Sequence, residues 1–181
     1  MVQDEDLLLA LLNSAPIIDG TPTDTLASAN GEEFVARFGG TGSTAERTYI
    51  RKMRGCLHDA IRGRDDAPQY LASALDGAVL VPEVTHRGLN WELRTHPDKN
   101  ISARAAIAWS RVLEQAPGRL RPCANDDCNL FLIDRSRPGT AKWCSMATCG
   151  NRMKARAHAN RKRGAVAQSL SRHPALGSGR P

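Results

Sequence analysis

The sequence predicts an α+β protein, in which a mainly helical N-terminal domain with one β-hairpin is followed by a small module made of a hairpin and a helix. Three observations predict this. Aromatic residues make up only 4% of the 181 residues, which favours helices packed through Leu, Ala, Val and Ile. Apolar residues recur at the helical period through most of the first 118 positions and alternate with polar residues between 78 and 94. Four cysteines then fall within a short segment near the C-terminus.

Helix ends are marked in several segments of the N-terminal domain. Ser43 or Thr44 is placed to cap the longest predicted helix, and Pro117-Gly118 ends the last one. The predicted helices are Leu7–Asn13, Asp24–Ala29, Gly31–Phe38, Thr44–Arg62, Ala67–Leu75 and Ile101–Gln115. The inner face of the last helix is predicted to comprise Ile101, Ala105, Ala108, Trp109 and Val112.

A β-hairpin is predicted between the last two of these helices. Ala78–Thr85 is rich in valine, and Leu89–Arg94 places Leu89, Trp91 and Leu93 alternately with polar residues. The residues His86-Arg87-Gly88 supply the turn that joins the two strands.

Charge divides the chain at Pro117-Gly118. Residues 1–118 hold 12 Lys and Arg against 16 Asp and Glu, a net charge of −4, whereas residues 119–163 hold 11 against 3, a net charge of +8. We therefore predict an N-terminal domain at 1–118, a basic module at 119–163 and a disordered tail at 164–181, where Gly, Ser, Pro and Ala are frequent. A compact basic block beside an acidic body indicates a polyanionic partner.

The N-terminal sequence predicts a cytoplasmic protein. Met1–Asp6 is acidic where a secretory signal carries Lys or Arg, and the apolar run Leu7–Leu12 is shorter than the ~20 residues that span a bilayer. Because cysteines stay reduced in the cytoplasm, a four-cysteine pattern there indicates metal ligation before disulfide formation.

The cysteines follow the pattern C-x4-C-x15-C-x4-C, formed by Cys123, Cys128, Cys144 and Cys149. Thiolates suit Zn²⁺, which takes four tetrahedral ligands in structural sites, so we predict one structural zinc ion. Four thiolates leave no open position for water or substrate, which argues against a catalytic zinc. The alternative is four unrelated buried thiols. Cys56 stands alone in a predicted helix and is expected in the core.

The residues around the cysteine pairs predict a treble-clef or zinc-ribbon-like fold. Leu130–Ile133 is predicted as a strand, Arg137–Thr140 as a type II turn and Ala141–Trp143 as the returning strand. Ser145 is placed to cap a helix that runs to about Arg163. One stripe of that helix is expected to face the metal and the hairpin, while its other faces are basic. The stripe comprises Met146, Cys149, Met153, Ala157 and Asn160.

The second cysteine pair and its surroundings resemble the CGNR zinc finger. The resemblance rests on Cys144–Arg152, which ends in Cys149-Gly150-Asn151-Arg152, on Lys154 and Arg156-Ala157-His158, and upstream on Arg121-Pro122-Cys123, Cys128 and Leu130-Phe131-Leu132. In that family the finger follows a domain called ABATE, which Leu11-Leu12-Asn13-Ser14, the long middle helix and the hairpin with Trp91 resemble. The resemblance implies the four zinc ligands named above and a bacterial, stress-induced transcriptional regulator.

We predict a zinc-dependent transcriptional regulator whose basic helix binds double-stranded DNA. The predicted nucleic-acid contacts are Lys142, Asn151, Arg152, Lys154, Arg156, Arg161, Lys162 and Arg163. For Asn151 and Arg152 a role in tying the loop around the zinc is an equal alternative. A homodimer, a small-molecule effector of the N-terminal domain and association with the nucleoid are further expectations.

Two other functions stay open from the sequence, RNA binding and docking of the basic helix on an acidic protein. The sequence contains no phosphate-binding loop, nucleophile elbow or His–Glu metal motif, so it does not predict an enzyme.

Overall fold

The computed structural model describes the backbone of residues 2–171 and the side chains of residues 4–163. Its helices are α1 (Val2–Leu12), α2 (Ala29–Phe38), α3 (Thr44–Ile61), α4 (Ala67–Ala74), α5 (Asn100–Gln115) and α6 (Asn151–Ser171). Its strands are β1 (Ile17–Ile18), β2 (Thr21–Pro22), β3 (Val79–Thr85), β4 (Gly88–Arg94), β5 (Leu120–Pro122) and β6 (Phe131–Ile133). The strands form three two-stranded antiparallel sheets, β1–β2, β3–β4 and β5–β6. The mixed helical and strand architecture confirms the predicted fold class.

Local signals in the sequence set the ends of the helices. The Ser43 hydroxyl accepts a hydrogen bond from the Glu46 backbone N–H at 2.9 Å, and α3 begins at the next residue. Gly39 ends α2 in the left-handed conformation, with a φ of 73°, which glycine adopts without a steric penalty. Five of the six predicted helices of the N-terminal domain are present within about five residues of their expected ends. The sixth, Asp24–Ala29, forms only a 3₁₀ turn, Thr25–Ala27.

The core lies between α1, α3 and α5. Four leucines of α1 are fully buried, namely Leu7, Leu8, Leu11 and Leu12. They pack with Ile50, Met53 and Leu57 of α3 and with Ile101 and Ala105 of α5. Burying each of these large side chains stabilises the fold by roughly 1.5–3 kcal/mol. Ala108 and Val112 are also buried and Trp109 is partly buried, so the predicted inner face of α5 is confirmed. Cys56 is buried, as expected of a core thiol.

The β3–β4 hairpin confirms the sequence prediction and is exposed along most of its length. Its register pairs Val79 with Arg94, and Thr85 with Gly88 at the turn. Among the described residues no third strand pairs with either edge.

The strand pairing downstream differs from the prediction. β6 pairs with β5, so that Leu120 faces Ile133 and Pro122 faces Phe131, whereas Ala141–Trp143 forms no strand. β5 was not predicted because Pro117-Gly118 and Pro122 leave only a very short extended segment between them. The expected returning strand is replaced by a turn and an irregular segment, which side-chain hydrogen bonds hold in place.

Backbone contacts divide the chain into two compact units, residues 1–144 and 145–181. Within the first unit β5 and β6 pack with the helices, because Leu120 and Phe131 belong to the same buried cluster as the leucines of α1. The domain boundary expected after Gly118 stays a prediction.

In the second unit α6 continues to Ser171, beyond the expected end at Arg163. The predicted disordered tail begins at Gly164, but the residues after it, Ala165 to Leu170, include several good helix formers. The rest of the predicted tail, residues 172–181, lies outside the described residues. Nowhere in the described part of the chain is a helix long and apolar enough to cross a membrane.

Candidate metal centre and basic helix

A tight turn between β5 and β6 positions the first two cysteines. The Cys123 backbone N–H donates to the Leu130 carbonyl at 2.8 Å, which extends the β5–β6 ladder by one bond. The Cys128 N–H donates to the Asn125 carbonyl at 2.8 Å, and Asn125 itself is buried. The chain therefore reverses between the two cysteines, and both sulfurs are held at the end of this short sheet.

Asp134, at the end of β6, organises the segment that carries the third cysteine. Its side chain is fully buried, and its carboxylate accepts hydrogen bonds from the Ser136 hydroxyl (2.6 Å), the Ser136 N–H (2.9 Å) and the Ala141 N–H (2.9 Å). Arg121 of β5 forms an ion pair with the same carboxylate. The Ser136 hydrogen bond, with the Ser136 and Ala141 N–H groups and the Arg121 charge, lowers the pKa of Asp134 to about 2 against the opposing effect of burial.

These bonds close the loop that leads back towards Cys123. The Gly139 N–H donates to the Ser136 carbonyl at 3.1 Å, so the hydrogen-bonded turn is Ser136–Gly139, one residue before the predicted Arg137–Thr140. Gly139 has a φ of 68°, in the left-handed region that glycine adopts readily. The Ala124 N–H donates to the Lys142 carbonyl at 2.8 Å. The Cys144 N–H then lies 3.5 Å from the Cys123 sulfur and donates to it, and the Cys128 and Cys144 sulfurs are 3.7 Å apart.

The fourth cysteine lies in the first turn of the second unit. Ser145 is the N-cap, as predicted, and its hydroxyl accepts from the Thr148 N–H at 3.4 Å. Residues Met146–Gly150 form a wide, π-helical turn before α6, and Cys149 within it is buried. π-turns of this kind often occur at functional sites.

The predicted packed stripe of this helix is wrong in most of its members. Met146 is 52% exposed, and Ala157 and Asn160 are exposed. Met153 is half-buried, and only Cys149 is buried. The wide turn holds more residues than an α-turn, so Met146 before it falls out of the 100° phase from which the stripe was derived. Ala157 and Asn160 fail for another reason, because every residue of α6 from 154 to 163 is exposed, whichever face it lies on.

The four sulfurs of Cys123, Cys128, Cys144 and Cys149 all lie within 4.8 Å of one another. Four sulfurs at a Zn–S distance of about 2.3 Å in a tetrahedron are about 3.8 Å apart, so the observed cluster has the size that a zinc ion requires. The donor set is also appropriate, because thiolates favour zinc over the hard cations Mg²⁺ and Ca²⁺. The structure thus brings together all four predicted ligands as a group that could hold a metal ion.

All eight predicted nucleic-acid contacts are exposed. Asn151 donates from its Nδ2 to the Ala147 carbonyl at 3.2 Å, which is the loop-tying role considered as an alternative. Arg163 donates to the Asn160 side chain at 2.9 Å. From Arg135 to the C-terminus the sequence contains no Asp or Glu, so the helix carries no acidic side chain of its own that would neutralise these charges.

A further set of residues, missed by the sequence analysis, attaches β6 to the helical body. The Asn13 side chain accepts from the Phe131 N–H at 2.7 Å and donates to the Phe131 carbonyl at 3.2 Å. Phe131 is only 1% exposed. The centroid of its ring lies 4.5 Å from the centroid of the His58 ring and 4.6 Å from the guanidinium carbon of Arg62. Arg62 also donates to the Asn129 side chain at 2.6 Å. Asn13 stood within the run Leu11–Ser14 noted above, but nothing in the sequence indicated its partner.

His58 is held in its neutral form by this environment. Burial is the main cause that lowers its pKa from 6.5 to about 4, and the Arg62 and Arg54 charges add to the effect. Its Nε2–H donates to the Leu12 carbonyl at 2.9 Å.

A second missed network fixes the loop that follows α1. Arg54, buried in α3, donates through Nη1 and Nη2 to the two carboxylate oxygens of Asp24, each at 2.8 Å, and through Nη1 to the Ser14 hydroxyl at 2.8 Å. The Arg54 hydrogen bond is the main cause that lowers the pKa of Asp24. A buried Arg is rare unless paired, which is why sequence alone could not place it.

Comparison with known families gives one match. Residues 119–162 match the CGNR zinc finger family, which confirms the resemblance seen in the cysteine module. The matched segment includes all four cysteines and the basic residues of α6 up to Lys162. No curated protein matches the chain.

Proposed function

Proceeding from a CGNR zinc finger at residues 119–162, we propose that the protein is a zinc-dependent, DNA-binding transcriptional regulator in which α6 contacts the phosphates of a duplex. One observation carries the proposal. The second half of the cysteine cluster is followed directly by an exposed helix with six Lys and Arg between residues 152 and 163, and no acidic residue follows Asp134. The Lys and Arg side chains of α6 attract a polyanion. Because like charges one helical turn apart destabilise a helix, a bound polyanion would also stabilise α6 by offsetting their repulsion.

In this proposal the zinc ion has a structural role. The four thiolates fill its coordination shell, and the metal supplies folding free energy to a segment with little core of its own. Cys149, at the start of the helix, is one of the ligands. The zinc therefore fixes where α6 begins, and no catalytic step is assigned to it.

The basic side chains of α6 then supply phosphate contacts on several faces of the helix. Arg side chains suit the major-groove edge of guanine, which offers two acceptors to one guanidinium. Asn151 already donates one of its two amide N–H groups to Ala147, which leaves the second N–H and the amide oxygen for a base or a phosphate-bound water. The alternative role of Arg152 in the loop stays open.

Duplex DNA is favoured over single-stranded RNA by the aromatic residues of the module. Single-strand binders stack bases on exposed aromatic rings. Phe131 is buried in the core, and Trp143 is half-buried. Phe131 therefore offers no ring for stacking, and Trp143 is exposed only in part. Docking on an acidic protein would use the same charges without reading a sequence, and it is therefore an outcome of the test below.

The test is a fluorescence-anisotropy titration of the full zinc-loaded chain with a short duplex over a range of salt. We expect log K to fall linearly with log salt, each phosphate contact adding about 0.9 to the slope, so that roughly five contacts give a slope near −4.5. Lys154→Glu should weaken duplex binding about tenfold. It should also reduce the magnitude of the salt slope by about 0.9 to 1.8, which corresponds to the loss of one or two phosphate contacts. Lys52→Glu makes the same charge change at an exposed position of α3, and it should leave binding nearly unchanged.

Two results would contradict the proposal. One is the absence of duplex affinity at low salt with zinc bound, and the other is an equal loss of affinity in both lysine variants, which would indicate non-specific attraction to the whole molecule. Tighter binding of single-stranded RNA in competition would favour the RNA alternative instead. Genome-wide capture of bound DNA, run beside Cys144→Ser, then tests whether the zinc module selects sites.

We propose that residues 1–118 form an ABATE-like domain that senses a ligand or forms a dimer. The proposed regulator is a bacterial protein that associates with the nucleoid. A small-molecule effector of this domain stays part of the proposal. Thermal-shift screening of the zinc-loaded chain against metabolite libraries tests it, and a ligand that alters duplex affinity would support it.

A further inference from the structure

The β3–β4 hairpin has one face built only from apolar side chains. Residues directly paired across antiparallel strands share a face, and three such pairs alternate along this hairpin. The face comprises Leu80, Pro82, Val84, Leu89, Trp91 and Leu93. The opposite face carries Glu83, Glu92 and Arg94. The hairpin thus has the sided pattern of a sheet that packs against a hydrophobic surface.

The apolar face is nevertheless in solvent. Val84 is 81% exposed, Leu89 58% and Trp91 52%. Together with Leu80 and Pro82, which are also exposed, these side chains expose roughly 500 Å², towards the upper end of what a monomeric protein leaves uncovered. An isolated two-stranded hairpin is also marginally stable in water unless one face is covered. Leu93, near the end of β4, is half-buried, but from Leu80 to Leu89 the described residues leave the face exposed.

We propose that this face is covered by the same face of a second copy of the chain, so that two β3–β4 hairpins stack across a two-fold axis. Two faces of this size bury roughly 1,000 Å² in total, which is the smallest area that a specific interface needs. The face has no charged side chain, so nothing in it favours a cationic or an anionic partner. A two-fold interface brings together the same patch of both copies, and an apolar patch is complementary to itself. Side chains of two stacked sheets interdigitate across about 10 Å.

The hairpin edge supports stacking over edge-to-edge pairing. Pro82 in the middle of β3 lacks a backbone N–H, and Glu83 follows it, both of which hinder the addition of a further strand at that edge. The proposal does not rest on DNA binding. If both hold, each dimer presents two basic helices to a duplex.

The test measures molar mass by sedimentation equilibrium on the full zinc-loaded chain. We expect a dimer for the wild type in the micromolar range. Val84→Lys should raise the dimer dissociation constant about 100-fold, because each of the two copies would bury one unpaired ammonium. Since Val84 is exposed in the single chain, the variant should keep its fold, which circular dichroism checks. The matched control is Asn90→Lys, at an exposed position of the polar face next to Leu89, which should remain dimeric.

Hydrogen exchange of residues 79–94 separates the remaining outcomes. Slow exchange in the wild type and fast exchange in Val84→Lys, with the loss of the dimer, supports the proposal. A wild type that is monomeric at 100 μM overturns it, whether the hairpin exchanges fast or is protected by another segment of the chain. A dimer that persists in Val84→Lys also overturns it, because the interface then lies elsewhere. Duplex affinity is measured separately, so failure of either proposal is recognised on its own.

Discussion

Replacing Asn13 with alanine should destabilise the protein and weaken zinc binding together. The substitution removes one donor and one acceptor that hold both backbone groups of Phe131, at 3.2 and 2.7 Å. A buried backbone group left without a partner costs about 1–3 kcal/mol. Because Asn13 is only half-buried, water would reach part of the gap. We therefore expect a loss of about 2–3 kcal/mol, at the lower end of the range of about 2–6 kcal/mol for two such groups.

For a chain of this size that loss lowers the melting temperature by about 5–10 °C, measured by calorimetry on the zinc-loaded protein. β6 leads directly out of the turn that carries Cys123 and Cys128, so a loosened β6 should also weaken zinc binding, by about tenfold. A competition titration with a chromogenic chelator measures this affinity. Asn90→Ala, at an exposed position of the hairpin, is the matched control and should change neither quantity.

A wild-type melting temperature for Asn13→Ala would show that Asn13 does not hold β6 in place. A lower melting temperature with unchanged zinc affinity would show that the attachment of β6 and metal binding are independent. Reciprocity requires that zinc removal loosen the Asn13 contact in turn, which hydrogen exchange at the Phe131 amide would report.

Three further predictions concern individual side chains. Cys144→Ser should lose stoichiometric zinc by elemental analysis and show a lower melting temperature, whereas Cys56→Ser should keep its zinc; equal zinc content in the two variants would exclude the assigned ligand set. Between pH 6.5 and about 4, His58 is protonated in the unfolded chain but stays neutral in the folded one, because folding lowers its pKa to about 4. The free energy of unfolding should therefore fall as the pH is lowered through that range. His58→Gln should flatten this part of a urea-unfolding profile, and an unchanged slope would show that another group titrates. Asp134→Asn removes the charge that Arg121 pairs with, and it should lower zinc affinity about tenfold in the chelator assay. Because the pKa of Asp134 is lowered to about 2, its own contribution to stability is present above pH 4 and is lost only as the pH falls from about 4 towards 2.

What the sequence predicted well were features that neighbouring residues determine. The cap at Ser43, the end of α5 just before Pro117-Gly118 and the alternation from Leu89 to Leu93 each lie within a few residues of what they control. The four zinc ligands belong with these features, because two close pairs of cysteines indicate a shared site without any knowledge of the rest of the fold.

What escaped prediction depends on residues far apart in the chain. Asn13 and Phe131 are separated by 118 positions, and Arg54 and Asp24 by 30, so no periodicity connects them. Asp134 was counted only as one of the few acidic residues of a basic module, although its burial beside Arg121 decides how the loop to Cys144 folds. The packed stripe failed at Met146 because the helical period does not hold through the π-turn, and at Ala157 and Asn160 because every residue of α6 from 154 to 163 is exposed.

The attachment of β6 to α1 and α3 has a consequence for how freely this zinc finger can be exchanged between proteins. Many small zinc modules are portable, because the metal and a few residues form their whole interior. Here Leu120 and Phe131 are part of the interior of the helical body. A finger excised at Gly118 would expose both side chains and lose Asn13, and a foreign finger grafted onto the body would leave a hole against His58. Body and finger are therefore expected to be inherited and to diverge as a pair, with changes at Asn13, His58 or Arg62 compensated at Asn129 or Phe131.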